Sequence, residues 1–452
     1  NSFCTLLVSF SFLNRTVLMP VAASDIAAWE QTVDGLWGRV LTDEGKAEAD
    51  KIIAAASEGD PLQGLDAATK ARLLIVRARA RLLLPAYSKD AEADLSKALK
   101  LRPSDAVSWV TMSECLWKRD AIKEARDVLV SALGQDPKCV PALCQLSRIL
   151  RAYAGKVATE NEERLALMEE SVARAKEAIG IDMNNGEAWA ALGIALIQLT
   201  VSTGMDLALL RKANQALIQA ARRRDFDPDI FYNRAVVRRC LGDFSGASDD
   251  FETAYRLDPA GLKVAERDRV AVTARLESFA SVIQYVSGDD ATSSKSREFK
   301  KVMAKLPLIA DGGKELLPVS RLISSVSGDK TVWTVLKVLQ LVSPATEQPL
   351  SYVAADREGR FVSLLVYRVA SEAISTNATV YISFPPSSIS EHVHSFLPLP
   401  KADKEGNLIE AKEKLTLTLP SVVTDPTSLF VNGRPVEKHH IKVPSLATRQ
   451  FA

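Results

Sequence analysis

The chain has 452 residues, 47% of them hydrophobic and 25% charged, which is enough to bury two or three cores and excludes wholesale disorder. Its 57 basic residues nearly balance 56 acidic ones, so a role on nucleic acid has to come from local patches and not from a global field. The cysteines, Cys4, Cys115, Cys139, Cys144 and Cys240, lack the spacing of a zinc knuckle or redox pair. Cys115, Cys139 and Cys144 fall among apolar helical positions, as small hydrophobes in a reducing compartment do.

Residues 1–20 are an apolar extension, with Phe3, Leu6, Leu7, Val8, Phe10, Phe12 and Leu13, expected to lie outside the mature folded core. No basic residue precedes this run as a secretion signal requires, and Met19 reads as an alternative start. Asn14-Arg15-Thr16 fits the glycosylation pattern, which bears only on a secreted chain. No later apolar run is long enough to span a membrane. Residues 21–64, with Trp29, Leu36, Trp37, Ile52 and Ile53, read as a helical cap or an irregular repeat.

From residue 65 to residue 287 the pattern predicts helix after helix, each about 12 to 25 residues long. A spacing of about 34 residues recurs, the period of the tetratricopeptide repeat, with a large residue early, small residues at the helix crossing and a late proline. One unit carries Trp109, then Ala125, Leu129, Ala132 and Pro137; the unit before it ends with Ala91, Leu95, Ala98 and Pro103. The pattern returns at Trp189, Leu192 and Gly193 with Ala213, Leu217 and Ala220. It returns again as Phe231-Tyr232-Asn233-Arg234-Ala235 with Ala247, Phe251, Ala254 and Pro259. A weaker unit spans Leu143 to Ala178, and insertions at residues 154–162 and 200–205 lengthen turns. Alanine at the crossing lets paired helices approach, so each hairpin buries its apolar side only against neighbours. A long helix over residues 262–286, with Arg267, Asp268, Arg269, Arg275 and Glu277, is expected to cap the array with a solvent-facing polar stripe.

Residues 288–310 read as a linker and a short basic helix presenting Lys300, Lys301 and Lys305, with the most separable stretch at 288–296. Residues 311–452 change to period-two texture: Val332 to Leu339, Phe361 to Val369, Val380 to Phe384 and Leu415 to Leu419 predict strands, and Asn432-Gly433 predicts a tight hairpin turn. The fold class is therefore an all-α tetratricopeptide-repeat superhelix followed by a small all-β barrel, for which the oligonucleotide-binding type is one candidate. Tyr352, Phe361 and Tyr367 are candidates for base stacking and Arg360, Arg368 and Lys337 for phosphate contact, and the same residues suit a barrel core and rim.

The chain offers little to chemistry. His392 and His394 share one face of a strand, and His439 and His440 follow later, but no acidic or cysteine ligand is fixed near them by spacing, and no metal is assigned. Ser113 and Ser147 occupy small-residue positions of the repeat without a placed base, and the glycines do not assemble a phosphate loop. No catalytic residue and no cofactor are assigned, and the chain is read as a non-enzyme.

Tyr87-Ser88-Lys89-Asp90-Ala91-Glu92, the run Leu95-Ser96-Lys97-Ala98-Leu99-Lys100-Leu101, the Asn233-Arg234-Ala235 unit and Phe430-Val431-Asn432-Gly433-Arg434-Pro435 together resemble the tetratricopeptide repeat protein 5 (Strap) family; residues before about 65 match it poorly. That resemblance implies repeats followed by an oligonucleotide-binding-type barrel, and two binding activities. One is a ribosome-associated reader of nascent tubulin amino termini, acting in tubulin autoregulation through a downstream mRNA-decay adaptor in the cytoplasm. The other is a nuclear scaffold for acetyltransferase and p53-type transcription complexes, with DNA or chromatin contact through the barrel. By position it implies that Lys97 and Lys100 touch the ribosome, Arg151 touches the nascent peptide and Asp229 is an acidic peptide contact. The family glutamate after the last Asp-Pro-Ala falls on Lys263, and Glu266, one turn along, is the substitute. Beside these, Arg102 extends the basic patch at the end of its helix toward phosphate, and Arg148 and Asn233 lie on the helices that line a concave face. Arg234 occupies the same helix type and is expected to pair across the stack.

Overall fold

The structure is a computed structural model and describes residues 21–59, 61–288, 293–310, 312–325, 331–384, 389–402 and 408–443. Residues 1–20, with their signal-like run, lie outside the described residues. The chain forms two compact units, residues 1–137 and 138–452.

In the first unit six helices run in order: α1 Ala23–Leu36, α2 Asp43–Ala55, α3 Ala67–Leu83, α4 Lys89–Leu101, α5 Ala106–Lys118 and α6 Ile122–Gln135. The second begins with seven more: α7 Val140–Lys156, α8 Asn161–Ile181, α9 Gly186–Ser202, α10 Leu207–Ala221, α11 Pro228–Leu241, α12 Phe244–Leu257 and α13 Lys263–Ser287. Starts are set by polar caps. Thr42, Asp66, Ser88, Asp105, Asn185, Asp206, Asp227 and Asp243 each accept a first-turn amide, at about 1 kcal/mol apiece.

The helices pair as hairpins α3/α4, α5/α6, α7/α8, α9/α10 and α11/α12. The crossing residues expected from the repeat, Ala91, Leu95, Ala98, Ala125, Leu129, Ala132, Ala213, Leu217, Ala220, Ala247, Phe251 and Ala254, are all fully buried. The early tryptophans have a polar task as well: Trp109 Nε1 donates to the Pro103 carbonyl at 2.7 Å and Trp189 Nε1 to the Met183 carbonyl at 2.9 Å, each pinning the turn six residues back. Two hairpins share a buried ion pair that composition concealed. Arg77 forks onto Asp94 at 2.8 and 2.6 Å with Arg81 adding a third bond, and Arg234 forks onto Asp250 at 2.7 and 2.5 Å with Arg238 beside it. Arg234 thus pairs across its own hairpin.

The rest of the second unit holds α14 Ser294–Met303, β1 Ile309–Ala310, β2 Lys314–Glu315, α15 Val319–Ser325, β3 Val332–Leu341, β4 Leu350–Ala355, β5 Phe361–Val366, β6 Thr379–Phe384 and β7 Ile389–Phe396. It closes with β8 Lys401–Ala402, β9 Leu408–Ile409, β10 Leu415–Thr424, β11 Leu429–Val431 and β12 Arg434–Pro435. The main sheet has eight strands in the order β12-β11-β6-β3-β4-β5-β10-β7, with β10 parallel to β5 and the other neighbours antiparallel. The all-β texture is therefore right and the expected strands are present. The form is a mixed sheet larger than a small barrel, and among the described residues its end strands β12 and β7 do not pair with each other. The turn between β11 and β12 has Asn432 at φ 51° and Gly433 at φ 81°, the two positive values that a tight hairpin demands.

The separable boundary expected at residues 288–296 is not a break in packing. One hydrophobic core runs from Ala154 on α7 through α13 and takes in Val353, Leu365, Tyr367, Phe396, Leu419 and Val423 of the sheet region. Tyr367, 1% exposed, donates its hydroxyl to the Cys240 carbonyl at 2.9 Å, and Arg368 reaches the Gly204 carbonyl at 3.2 Å. Gly242 ends α11 at φ 87°, and a Cβ there would fall 2.2 Å from Ser421 Oγ, so only glycine fits both the turn and the sheet. The polar stripe of α13 is covered only in part: Arg275, 3% exposed, meets Glu347 of the sheet region and Asp268, 9% exposed, meets Tyr232 of α11, while Arg267 stays exposed as expected of a cap.

His394 belongs to this seam. It is fully buried, with Nδ1 3.4 Å from Ser245 Oγ and its ring 5.7 Å from Phe244 and 5.8 Å from His392. Burial, reinforced by His392 and opposed by Asp243, lowers its pKa to about 4. The unfolded chain takes up that proton first, so the contribution of a neutral His394 is complete above the ordinary value of 6.5 and is lost as pH falls toward about 4. The unfolding free energy from urea titration should drop across that window, by on the order of 2 to 3 kcal/mol, and His394→Gln should flatten the dependence; an equal slope in the variant contradicts the assignment. A second test concerns the α9/α10 crossing, where a Cβ on Gly193 would lie 2.6 Å from Leu217 Cγ. Gly193→Ala should cost about 1 to 3 kcal/mol in denaturant titration despite the better helix propensity of alanine.

Candidate peptide-binding face

The first helices of successive hairpins, α7, α9 and α11, stand side by side, with α9 packed against both others. The residues expected to contact peptide fall on its two flanks, Arg148 and Arg151 on α7 and Asp229 and Asn233 on α11.

Arg151 is 3% exposed and packed inside the α7/α8 hairpin. Its Nη1 donates to Ser147 Oγ at 3.0 Å and Ser171 Oγ at 3.2 Å, and the two hydroxyls lie 2.9 Å from each other. Ser147 sits at the repeat's small-residue position, which leaves room for the guanidinium one turn on. No carboxylate lies within ion-pairing distance of Arg151 among the described residues. Burial, and then the charge of half-buried Arg148, pull its pKa down to about 9. It stays a cation at neutral pH, held in place by neutral acceptors and balanced by no anion.

On α11, Asp227 caps the helix and receives the Asp229 amide at 3.2 Å, which fixes half-buried Asp229 in the first turn. Asn233, fully buried, spends its Nδ2 on the Asp229 carbonyl at 2.8 Å, and its Oδ1 has no donor. Backbone and side-chain acceptors thus gather at this end of the face while cations gather at the other.

Glu266 does not join them. Its carboxylate takes both Nη2 and Nε of Arg269 at 2.7 and 2.8 Å, a pairing along one face of α13 that lowers its pKa. The α13 carboxylate that reaches α11 is Asp268, which accepts the Tyr232 hydroxyl at 3.1 Å. Lys263 is exposed at the first position of α13. Sequence reasoning also missed a buried cluster beyond Tyr232, in which Glu347, from the connection between β3 and β4, meets Arg275 at 2.5 Å and Arg239 at 3.5 Å. Arg239 lies two turns after Tyr232, which a helical plot displays; Glu347 has no local signal, since it is brought in by the sheet.

In the first unit, Lys97 and Lys100 are exposed on the last turns of α4 and Arg102 is its half-buried C-cap, so these three lie at one end of the helix. Of the candidates for nucleic-acid contact, the two tyrosines are internal and the others are half-buried and engaged within the chain. Tyr352 and Tyr367 are each 1% exposed, Phe361 stacks on Phe299 at 5.0 Å, Arg360 pairs with Glu391, and Lys337 leans on Thr379 at 3.5 Å. Among the described residues no group of three or more His, Cys, Asp or Glu is placed to hold a metal, and no helix is long and apolar enough to cross a membrane.

Paired helices in this register, with small residues at each crossing, form an array of tetratricopeptide-repeat-type hairpins followed by a C-terminal mixed β-sheet region. The chain is similar to human tetratricopeptide repeat protein 5, with 26% identity over 394 residues that cover 84% of each chain. It is similar to the mouse protein of that name at 26% over 402 residues, 85% of each chain, and to the cattle protein at 30% over 202 residues, 44% of this chain and 45% of that one. No family model matches the chain. Among solved structures it is similar to a thermophilic tetratricopeptide-repeat protein of Thermus thermophilus, with TM-score 0.37, 18% identity, and coverage of 46% of this chain and 98% of that one. It is also similar to YrrB, a tetratricopeptide-repeat protein with an unusual peptide-binding site, with TM-score 0.31, 18% identity, and coverage of 48% and 99%.

Keeping a cation buried without an anion costs stability that a ligand would return. Arg151→Met should therefore leave the unfolding free energy from urea titration unchanged or raise it by up to about 1 kcal/mol, whereas a loss above about 2 kcal/mol would assign Arg151 to the fold alone.

Proposed function

We propose that this chain is a non-enzymatic protein-binding adaptor whose α7–α11 face holds the extended amino-terminal segment of a peptide. The observation that carries the reading is the buried, unneutralised Arg151 guanidinium on one flank, matched by Asn233 Oδ1 on the other. A peptide supplies a carboxylate for Arg151 and an N–H donor for Asn233 Oδ1, and a peptide cation is drawn toward Asp229 at the same end. Similarity to tetratricopeptide repeat protein 5 supports the finer reading, a ribosome-associated reader of nascent tubulin amino termini that acts in tubulin mRNA autoregulation through a decay adaptor. In that reading Lys97, Lys100 and Arg102 are the ribosome contact, and the chain works in the cytoplasm, with the nucleus as a second site. The transcription-scaffold reading draws on a basic and aromatic sheet surface, and the burial of Tyr352 and Tyr367 takes support from it.

With Lys263 in place of an acid and Glu266 engaged by Arg269, a peptide arginine has Asp229 as its acidic partner. A fluorescently labelled peptide beginning Met-Arg-Glu should bind the full chain more tightly than its Met-Glu-Glu counterpart. Arg151→Ala should weaken binding about 5- to 150-fold, equivalent to about 1 to 3 kcal/mol for a charged hydrogen bond. Charge reversal at Lys97 and Lys100 should leave peptide affinity intact and reduce salt-sensitive ribosome cosedimentation. Equal affinity for the two peptides, or no effect of removing Arg151 and Asp229 together, overturns the site.

A further inference from the structure

One strand of the sheet is only half paired. β7 accompanies β10 from Leu415 to Val422, whereas β5 accompanies it on the other edge only from Ser421 to Thr424. Among the described residues, Leu415 to Leu419 therefore have no strand partner on the β5 side. A row of main-chain N–H and C=O groups left open in this way is satisfied all at once only by another extended chain, because a helix has already spent its own.

The same edge borders a cavity. The C-terminal half of α13 stands off the sheet and leaves a groove of about 330 Å³ lined by Ala280, Ile283, Gln284, Phe396, Leu415 and Leu417 among others. Its walls are mostly aliphatic and aromatic, and Leu415 is 46% exposed. The flanks of the groove carry charge of both signs, lysines among them. Lys412-Glu413-Lys414 runs into Leu415, and at the other side Lys295 stands beside Gly288, 3.8 Å from where a Cβ on that glycine would lie, with its ammonium 5.6 Å over the ring of Tyr285. Of the acids nearby, Glu277 on α13 is engaged by the Leu399 amide at 2.7 Å, and Asp249 on α12 interacts electrostatically with Lys414.

We infer that this groove docks an extended segment of a partner protein, which joins β10 as an added strand, sets alternate apolar side chains into the cavity and places acidic residues against Lys295 and Lys414. The open strand edge selects an extended occupant, the lining selects apolar residues at every second position, and the rim selects their flanks. This site is distinct from the α7–α11 face and leaves both free to be occupied together.

Fluorescence-polarisation titration of the full chain with the labelled probe Glu-Glu-Val-Thr-Val-Thr-Val-Glu-Glu tests the inference. Saturable binding is expected, at least tenfold weaker when the central valine is proline, since proline breaks strand addition. Leu415→Asp, at a side chain already near half exposed, should weaken the probe by a similar factor without unfolding the chain. Lys414→Glu should weaken it less and reduce its salt dependence. Hydrogen exchange supplies a readout independent of the variants: amides within Leu415 to Leu419 should gain protection when the probe is bound. Absence of binding, equal affinity for the proline probe, or binding without protection of that edge overturns the proposal.

Discussion

A helical hairpin buries only one of its sides, and the next element along the chain has to cover the other. Beyond Lys138 this requirement governs the architecture. Each crossing is kept close by a residue with little or no side chain, Ala213, Gly193 or Ala247, so that bulky neighbours interlock between pairs. After α13 no further hairpin follows, and the sheet region does the covering. Tyr367 spans the joint, its ring in the repeat core and its hydroxyl on the last turn of α11. The sheet is thus the terminal cap of the array, and its packing on α12 and α13 explains why residues 138–452 form one compact unit.

Close packing of this kind leaves polar groups few places to go, and the chain handles them in two ways. Some are neutralised internally, as in the Arg77–Asp94 and Arg234–Asp250 forks, where a bidentate geometry offsets desolvation. Others are stabilised without being neutralised, as Arg151 is by Ser147 and Ser171. The first arrangement holds paired helices in register and the second costs stability, which is why the second points to a ligand.

Much of the repeat array is legible in sequence because its determinants are local. Trp109 and Trp189, the alanine crossings and the caps recur at a fixed period, and each acts within a turn or a hairpin. The strands, too, are legible from alternation at Leu415 to Leu419 and from Asn432-Gly433. Sheet order is not, since β5 and β10 run parallel across more than fifty intervening residues and nothing near Ser421 announces Ser363 as its partner. The linker misled for a related reason: a polar, aperiodic stretch marks a turn in the chain, and whether it also separates two cores depends on contacts such as Tyr367 to Cys240 that lie 127 residues apart. Of the candidate site, Arg151, Asp229 and Asn233 can be assigned to their helices from register, while the pairing of Glu266 with Arg269, three residues on, is a local contact that register alone does not specify.

Arg151 and Arg239 permit a controlled comparison within one chain. Each lies four residues after the small position of its first helix, Ser147 on α7 and Ala235 on α11, so the repeat gives the two guanidiniums equivalent places. Both are nearly fully buried, at 3% and 8% exposed. Burial works against the charge of Arg239 too, yet its neighbours, Cys240 and Glu347 foremost, more than offset it and its pKa is raised. Arg151 has Arg148 beside it and no acid, and its pKa is lowered. The difference comes from the sheet, which delivers Glu347 to the α11 and α13 arginines and no carboxylate to α7. One repeat position therefore serves as a tie between helices and sheet where the chain supplies the anion, and carries a buried, unneutralised cation where it does not.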